Sequence, residues 1–286
     1  MDAAQVDVGA LVALLRRAGC VFAEEEAALL VEAAGSAGEL AELADRRAGG
    51  LPLEHVVGWA AFCGLRVAVA PGVFVPRPRT EFLVAEAARQ ARRGRGTASR
   101  PLVVLDLCCG CGALGLGLAH TLAADGAPPP ELHAADVDAA AVDCARRNLA
   151  PLGGHVHLGD LYAALPGTLR GRVDVLLANV PYVPTGEIVL MPAEARLHEP
   201  RTALDGGADG LAVFRRVARD ACAWLAPGGV VLSETGAHQA AAALAALTAG
   251  GLRAGVATDD DATVVVGRRG RDRLPGAPAS SPEPAA

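Results

Sequence analysis

Between Leu102 and Gly267 the apolar residues come in short, nearly unbroken runs, separated by longer stretches in which they recur every three or four positions. Short runs bounded by small residues are the mark of strands buried on both faces, and the wider spacing is that of helices packed on one side. The predicted strands are Leu102–Leu107, Glu131–Asp136, His155–Leu158, Val173–Asn179 and Gly229–Glu234, with helices near 113–124, 139–149, 208–226 and 236–249 between most of them. Strand and helix in alternation predict a doubly wound parallel sheet, an α/β fold. Two further strands, Leu252–Ala257 and Ala262–Gly267, are separated only by the Thr258–Asp261 turn. The sheet is therefore expected to end in an antiparallel hairpin, which a dinucleotide-binding plan does not include.

The pattern ahead of residue 102 is different. Val8, Leu11, Val12 and Leu15 share one helical face, with Arg16 and Arg17 at the end where the dipole favours cations. Glu24–Glu26 opens a second helix, and Glu39–Arg47 suits a third, closed by Gly49 and Gly50. Residues 1–52 thus read as a small helical domain. Residues 53–82 carry apolar and β-branched pieces split by Gly64 and Pro71-Gly72, the pattern of a hairpin joining two units. Pro76–Glu81 reads as a rigid turn running into a helix, with Thr80 placed to cap it and Glu81 in its first turn. Gln90–Pro101 is polar and rich in Arg, Gly and Ser, so an exposed loop is expected there. The main domain is drawn as 83–268, and 269–286, rich in Pro, Ser and Arg, as a disordered tail.

Composition narrows the chemistry. All basic residues are arginine, which excludes mechanisms built on a Schiff-base or phosphate-loop lysine. The net charge of −6 and the shortness of clusters such as Arg92-Arg93-Gly94-Arg95 argue against a broad nucleic-acid surface. No charge-free stretch reaches the length of a membrane span, and Met1–Gln5 has no basic region ahead of an apolar core, so a cytoplasmic enzyme is expected. The seven cysteines are odd in number, which does not suit a disulfide framework. Cys108-Cys109-Gly110-Cys111 has the look of a metal cluster, but no second Cys/His pair stands at zinc spacing. We read these cysteines as small residues filling a tight turn and assign no metal.

Candidate chemistry gathers at the predicted carboxyl ends of the strands, where doubly wound sheets bind ligands. After Leu107 comes the turn Cys108–Gly112 and then a helix, so backbone N–H groups approach a nucleotide-sized ligand closely. Gly110, Gly112 and Gly115 also fit G-x-G-x-x-G, so the turn alone says cofactor without saying which. Asp106 lies at this strand end, and Asp136, about twenty residues on, is placed to accept two ribose hydroxyls, which suits NAD as well as other adenosine cofactors. Asp160, after the third strand, falls on the adenine side. Any one such acid can be merely a helix cap; three at successive strand ends make that less apt.

Asn179-Val180-Pro181-Tyr182 follows the next strand and bears on the question. The Asn179 side-chain oxygen and the Val180 carbonyl can each accept a hydrogen bond. Aimed at one planar NH₂ group, with Tyr182 against its flat face and rigid Pro181 between, they would leave the nitrogen lone pair facing an electrophilic methyl group. A loop Asn followed by an extended X-Pro step is the plainer alternative for the tetrapeptide taken alone.

These elements, in this order, resemble the PrmC/HemK-type protein-(glutamine-N5) methyltransferases, which are class I S-adenosylmethionine enzymes. Val75–Glu81 is similar to their I-P-R-P-x-T-E, Leu105–Gly112 to L-D-L-G-T-G-S/T-G and Asn179–Tyr182 to N-P-P-Y. Ala135–Asp138 and Gly159–Tyr162 resemble the ribose-side and adenine-side elements, and Glu199–Leu204 with Asp209–Leu211 the following E-P-x-x-A-L and D-G-L. The resemblance implies a Rossmann-like seven-stranded sheet with a C-terminal antiparallel hairpin, plus a helical N-terminal domain in the place of a substrate-docking unit. It implies S-adenosylmethionine as cofactor, S-adenosylhomocysteine as product, and a protein substrate, a peptide chain release factor with a Gly-Gly-Gln loop.

The same resemblance assigns cofactor contacts to Asp106, Cys108, Cys109, Gly110, Cys111, Gly112, Asp136, Val137, Asp160, Leu161 and Asn179. Catalysis falls to Asn179, Val180, Pro181 and Tyr182, which with Arg77 and Glu199 also bind substrate. A monomer with no stable nucleic-acid or membrane association is expected. Two positions depart from the family pattern. Cys108 replaces the first glycine of the turn and is expected to avoid positive φ. Val180 replaces a proline, keeping the carbonyl acceptor while losing ring rigidity. Alternatives are methylation of a peptide, a small-molecule amide or an adenine amine, an NAD-dependent oxidoreductase, and a cofactor-binding scaffold whose catalytic site has decayed.

Overall fold

The structure, a computed structural model, describes residues 7–94 and 100–271. Helices α1 (Val8–Arg17), α2 (Ala23–Ala33) and α3 (Ala37–Ala48) pack around Leu11, Leu15, Ala27, Leu30, Leu40 and Leu43. Side chains set the starts of α1 and α3: Asp7 accepts from Ala10 N at 3.0 Å and Ser36 from Glu39 N at 3.1 Å. The short α4 (Leu53–Val57), which the hydrophobic pattern did not suggest, leads into the hairpin β1 (Trp59–Phe62) and β2 (Leu65–Ala68).

Thr80 does not cap α5 (Glu81–Gly94) as expected: a 3₁₀ turn over Pro78–Thr80 precedes the helix, and the Thr80 hydroxyl is spent on Glu234 at 2.6 Å. Nor does a loop begin at Gln90. The helix runs on to Gly94 because Ala87, Ala88 and Ala91 continue its buried face and Gln90 hydrogen-bonds Glu86 at 2.6 Å. Most of the C-terminal tail expected to be disordered, residues 272–286, lies outside the described residues.

The main sheet comprises β3 (Val103–Leu107), β4 (Glu131–Asp136), β5 (His155–Leu158), β6 (Val173–Ala178), β7 (Leu225–Thr235), β8 (Arg253–Thr258) and β9 (Thr263–Arg268). Their order is β5-β4-β3-β6-β7-β9-β8, parallel through β7, with β9 antiparallel to both β7 and β8. This is the expected seven-stranded architecture, with strand ends within a few residues of those read from the pattern. Helices α6 (Ala113–Ala124) and α7 (Ala139–Leu149) lie among the strands of the first half. The 6-residue α8 (Ala193–His198), the 4-residue α9 (Arg201–Leu204), α10 (Ala212–Trp224) and α11 (Ala240–Ala249) follow in the second.

One apolar cluster, with Phe62, Leu83, Leu118, Leu132 and Leu149, fills one face of the sheet, and a second, with Leu105, Leu176, Phe214 and Trp224, fills the other. Asn148 fastens the small hairpin to the sheet: it donates to the carbonyls of Ala68 and Cys111, both at 2.8 Å, and accepts from Ala68 N. The helical unit is fastened by Arg47, whose buried side chain joins Glu26 of α2 to Glu194 of α8, each at 2.6 Å. No helix of the described residues is long and apolar enough to cross a membrane.

At the edge of the sheet three imidazoles stand together. His133 on β4 stacks on His155 (ring centres 4.9 Å apart) and on His157 (5.5 Å), with its Nδ1 3.2 Å from His157 Nε2. Burial lowers the pKa of His133 and of His157, and the neighbouring imidazoles add to it. These groups bind protons less readily in the folded than in the unfolded chain. Their contribution is therefore complete above the ordinary histidine value of about 6.5 and is lost as pH falls below it. Thermal melts from pH 8 to pH 5 should show a falling Tm, with a shallower fall in His157→Gln; parallel curves would remove the trio as the cause.

Candidate active site

A cleft with about 1110 Å³ of empty space, its open mouth included, lies over the carboxyl ends of β3 and β6. Its floor is the turn after β3. Cys109 N donates to the Ala135 carbonyl of β4 at 3.1 Å, Gly110 N to Asp136 Oδ2 at 2.9 Å, and Gly112 N to the Cys109 carbonyl at 2.7 Å. Gly110 and Gly112 have φ of +53° and +80°, and nothing stands within 4 Å of where a Gly110 Cβ would be. The result is an open backbone cradle at the start of α6.

Cys108 does not avoid positive φ: its value is +54°. Because the chain must turn sharply out of β3 while keeping the Cys109 N–H on β4, residue 108 has to take the left-handed conformation whatever its side chain. For a residue other than glycine that conformation costs roughly 1–2 kcal/mol. Burial pushes the thiols of Cys108 and Cys109 up, and that of Cys111 to about 12, so all three are protonated near neutral pH.

Asp106 sits beneath the cradle with no exposed surface. One oxygen accepts from Gly115 N at 2.9 Å and the other, Oδ1, has no partner among the described residues. Burial, with the charge of Asp136 adding to it, pushes its carboxyl up to about 8. Asp136 spends one lone pair of each oxygen on a backbone N–H, that of Gly110 and that of Asp138 (2.9 Å). A carboxylate offers about four such positions, so Asp136 retains acceptor capacity toward the cleft.

Asn179, Val180, Pro181 and Tyr182 form the wall beside the cradle. The Asn179 side-chain oxygen is buried with no hydrogen-bond partner among the described residues, which costs about 1–3 kcal/mol unless a ligand donates to it. The loop is braced by its neighbours. Val183 N donates to the Leu204 carbonyl at 3.1 Å and Gly206 N to the Val183 carbonyl at 2.8 Å, while Gln239 Nε2 donates to the carbonyls of Tyr182 and Asp209 at 2.9 Å. A side chain at Gly210 would collide with both Gln239 and the Tyr182 carbonyl, so the Asp209–Leu211 segment packs there only with glycine.

Not every residue expected at the site lines the cleft. Cys108, Cys109, Gly110, Cys111, Asp136, Val137, Arg77 and the four residues 179–182 do. Asp106 and Gly112 shape the cradle from behind. Asp160 points outward, paired with Arg216 at 2.6 Å, and Leu161 is buried in the second core cluster. Glu199 is also off the wall: its fully buried carboxylate takes both Arg77 contacts (2.6 and 2.7 Å) and Val75 N (3.2 Å).

Residues the sequence reading passed over include Phe62, Phe74 and Met191 on the wall and the bracing Gln239 and Glu234. Glu234 carried the same signal as Asp106 and Asp136, an acid at the carboxyl end of a strand. Gln239 carried none.

The family described as Methyltransferase small domain matches residues 80–232. A release factor glutamine methyltransferase of Streptomyces coelicolor is 39% identical over 193 residues, 68% of this chain and 66% of the relative. The same name recurs among further relatives, one of which is matched over 74% of both chains. A 4-amino-L-phenylalanine/4-methylamino-L-phenylalanine methyltransferase of Streptomyces pristinaespiralis is 41% identical over 202 residues, 70% of this chain and 66% of the relative. The chain thus spans about two thirds of the length of the curated relatives that it matches. Among solved structures, the Thermus thermophilus 16S rRNA N2 G1207 methyltransferase in complex with AdoMet and guanosine superposes with a TM-score of 0.50 at 22% identity, covering 74% of this chain and 49% of that one, a likeness of fold.

The strained turn has a measurable consequence. Cys108→Val should lower stability to urea by about 2 kcal/mol, since β-branching makes positive φ worse, whereas Cys108→Gly should lose none. Equal losses in the two variants would mean that the conformation at 108 carries no strain.

Proposed function

The chain belongs to the methyltransferase small domain family and, within it, to the release factor glutamine methyltransferases, and we propose that it methylates a glutamine side-chain amide nitrogen in a peptide chain release factor. The observation that carries this reading is the buried, unpartnered Asn179 oxygen, set beside Val180 on the wall adjoining the backbone cradle. An oxygen in that state favours a donor that arrives with the substrate, and an NH₂ group supplies one to Asn179 and a second to the Val180 carbonyl.

The cofactor is S-adenosylmethionine, which supplies an electrophilic methyl group. The residues present fit it: a cradle open above Gly110, an Asp136 carboxylate with spare acceptor capacity, and no side chain filling the space between turn and wall. On this reading the turn Cys108–Cys111 holds the methionine end, and Asp136 and Val137 the ribose.

An amide nitrogen is a poor nucleophile because its lone pair is shared with the carbonyl. Asn179 and Val180 would offset this by accepting from both N–H bonds, which fixes the nitrogen in place and stabilises the positive charge that develops there as the new N–C bond forms and the cofactor's S–CH₃ bond breaks, its electron pair staying on sulfur to leave S-adenosylhomocysteine. The surplus proton then lies on an N–H already bonded to the Asn179 oxygen, from which it passes to solvent. Rate comes from positioning and preset dipoles, with no titrating base on the wall beside the nitrogen. Val180 serves this role as well as proline does, because the acceptor is a backbone atom.

A second reading is favoured by one relative, whose name gives amino-L-phenylalanines as its substrates, and by the apolar part of the wall formed by Phe74, Pro76, Met191 and Leu204. An aromatic amine presents the same planar NH₂ group.

Incubation with labelled cofactor and either a release factor or an amino-phenylalanine, followed by mass spectrometry, separates the two. Label on a release-factor glutamine supports the first reading, and label confined to the aromatic amine overturns it. Asn179→Ala should lower turnover by about 10²-fold or more while S-adenosylhomocysteine still raises the Tm. Near-normal turnover in that variant would remove the clamp from the mechanism.

A further inference from the structure

Glu234, the next-to-last residue of β7, has a side chain only 3% exposed, and three donors converge on it. The Thr80 hydroxyl donates to Oε2 at 2.6 Å, while Arg79 Nε (2.9 Å) and the Tyr182 hydroxyl (2.7 Å) both donate to Oε1. Arg79 Nη2 in turn donates to the Tyr182 hydroxyl oxygen at 2.7 Å, closing a ring of Arg79, Glu234 and Tyr182. Tyr182 is thereby held at both ends, its hydroxyl by this ring and its backbone carbonyl by Gln239.

We propose that Glu234, with Arg79 and Thr80, is a positioning group that pins the Tyr182 ring and so sets the width of the slot into which the acceptor nitrogen enters. The inference rests on the preceding reading only in taking residues 179–182 as the acceptor wall. It assigns a task to Pro76–Glu81 that no contact with cofactor or acceptor would require: Arg79 and Thr80, themselves at the cleft, fix its aromatic side.

The chemistry of the group suits a permanent fastening. Arg79 balances the Glu234 charge, and each Glu234 oxygen is used. Burial, and then the Glu234 charge, raise the Tyr182 hydroxyl to about 12, so it remains a donor throughout the working pH range. Tyr182→Phe keeps the ring and removes only its pin. A ring free to swing leaves the acceptor nitrogen less well aimed, which lowers kcat rather than cofactor affinity.

Two measurements test this. Steady-state kinetics of Tyr182→Phe, Glu234→Gln and the double variant use whichever acceptor the labelled-cofactor assay identifies. Each single variant should lose kcat by roughly tenfold to a hundredfold, the equivalent of one hydrogen bond to a charged group, with S-adenosylhomocysteine affinity within about twofold. The double variant should be no slower than the slower single one, because Tyr182→Phe removes, and Glu234→Gln weakens by taking away its charge, the same Tyr182–Glu234 bond. Unchanged kcat in Tyr182→Phe, or losses that multiply, would overturn the proposal.

The second measurement needs no acceptor. Tyr162→Phe leaves Tyr182 as the single tyrosine, since the chain has two. Its ultraviolet titration should begin at a lower pH when Glu234→Gln is added, and an unchanged curve would also overturn the proposal. If the titration moves but no glutamine is methylated, the pin stands and the glutamine reading fails.

Discussion

The parallel pairing of β3 with β6, in the register Leu107 opposite Ala178, is the constraint from which the site follows. Two strands far apart in the chain end side by side, so Cys108 and Asn179, the next residue of each, leave the sheet as neighbours. β3 is also where the strand order reverses, with β4 on one side and β6 on the other, and there the connections diverge and open a crevice. One branch supplies an open backbone turn and the other a side-chain acceptor. Slipping the register by a residue would turn Asn179 to the opposite face and bury the acceptor in the core.

Around that crevice the protein relies on two buried carboxylates in place of a large apolar lid. Glu199 and Glu234 lie on segments 35 residues apart, yet each is met by an arginine from the same short stretch, Arg77 and Arg79. In each pair the glutamate is buried while its arginine is partly exposed, so removing the arginine leaves a buried charge short of a partner and costs more than breaking a surface ion pair. Stretch and loop are therefore stiff together. A site that works by preset dipoles needs that stiffness, because donors and acceptors that must first reorganise lose their advantage over water.

The sheet was legible in the sequence because its inner strands, β3, β4, β6, β7 and β9, are largely buried on both faces, so burial writes itself into the apolar pattern. The 102–117 stretch and residues 179–182 were legible for a different reason: they carry small or polar residues at strand ends, where nothing in the core asks for them. Cys108 misled for a physical reason. Side-chain identity argues against positive φ, but the backbone path out of β3 requires it. Thr80 misled because a cap is a local option, and a buried carboxylate 154 residues away in sequence is the stronger partner. Asp160 and Leu161 show the limit of reading strand ends one by one: a loop after a short edge strand, with Leu161 itself at φ +47°, sends its side chains elsewhere.

The double attachment of residues 75–81 bears on how such chains recombine. A crossover between two relatives placed just after Glu81 would hand the offspring Arg77 and Arg79 from one parent and Glu199 and Glu234 from the other. If the position of an arginine or of a glutamate within its own segment differed by a single residue, its pair would miss. The heritable unit of the clamp is therefore not a tetrapeptide but the whole interval from Val75 to Gln239. Crossovers that fall outside it leave the slot intact.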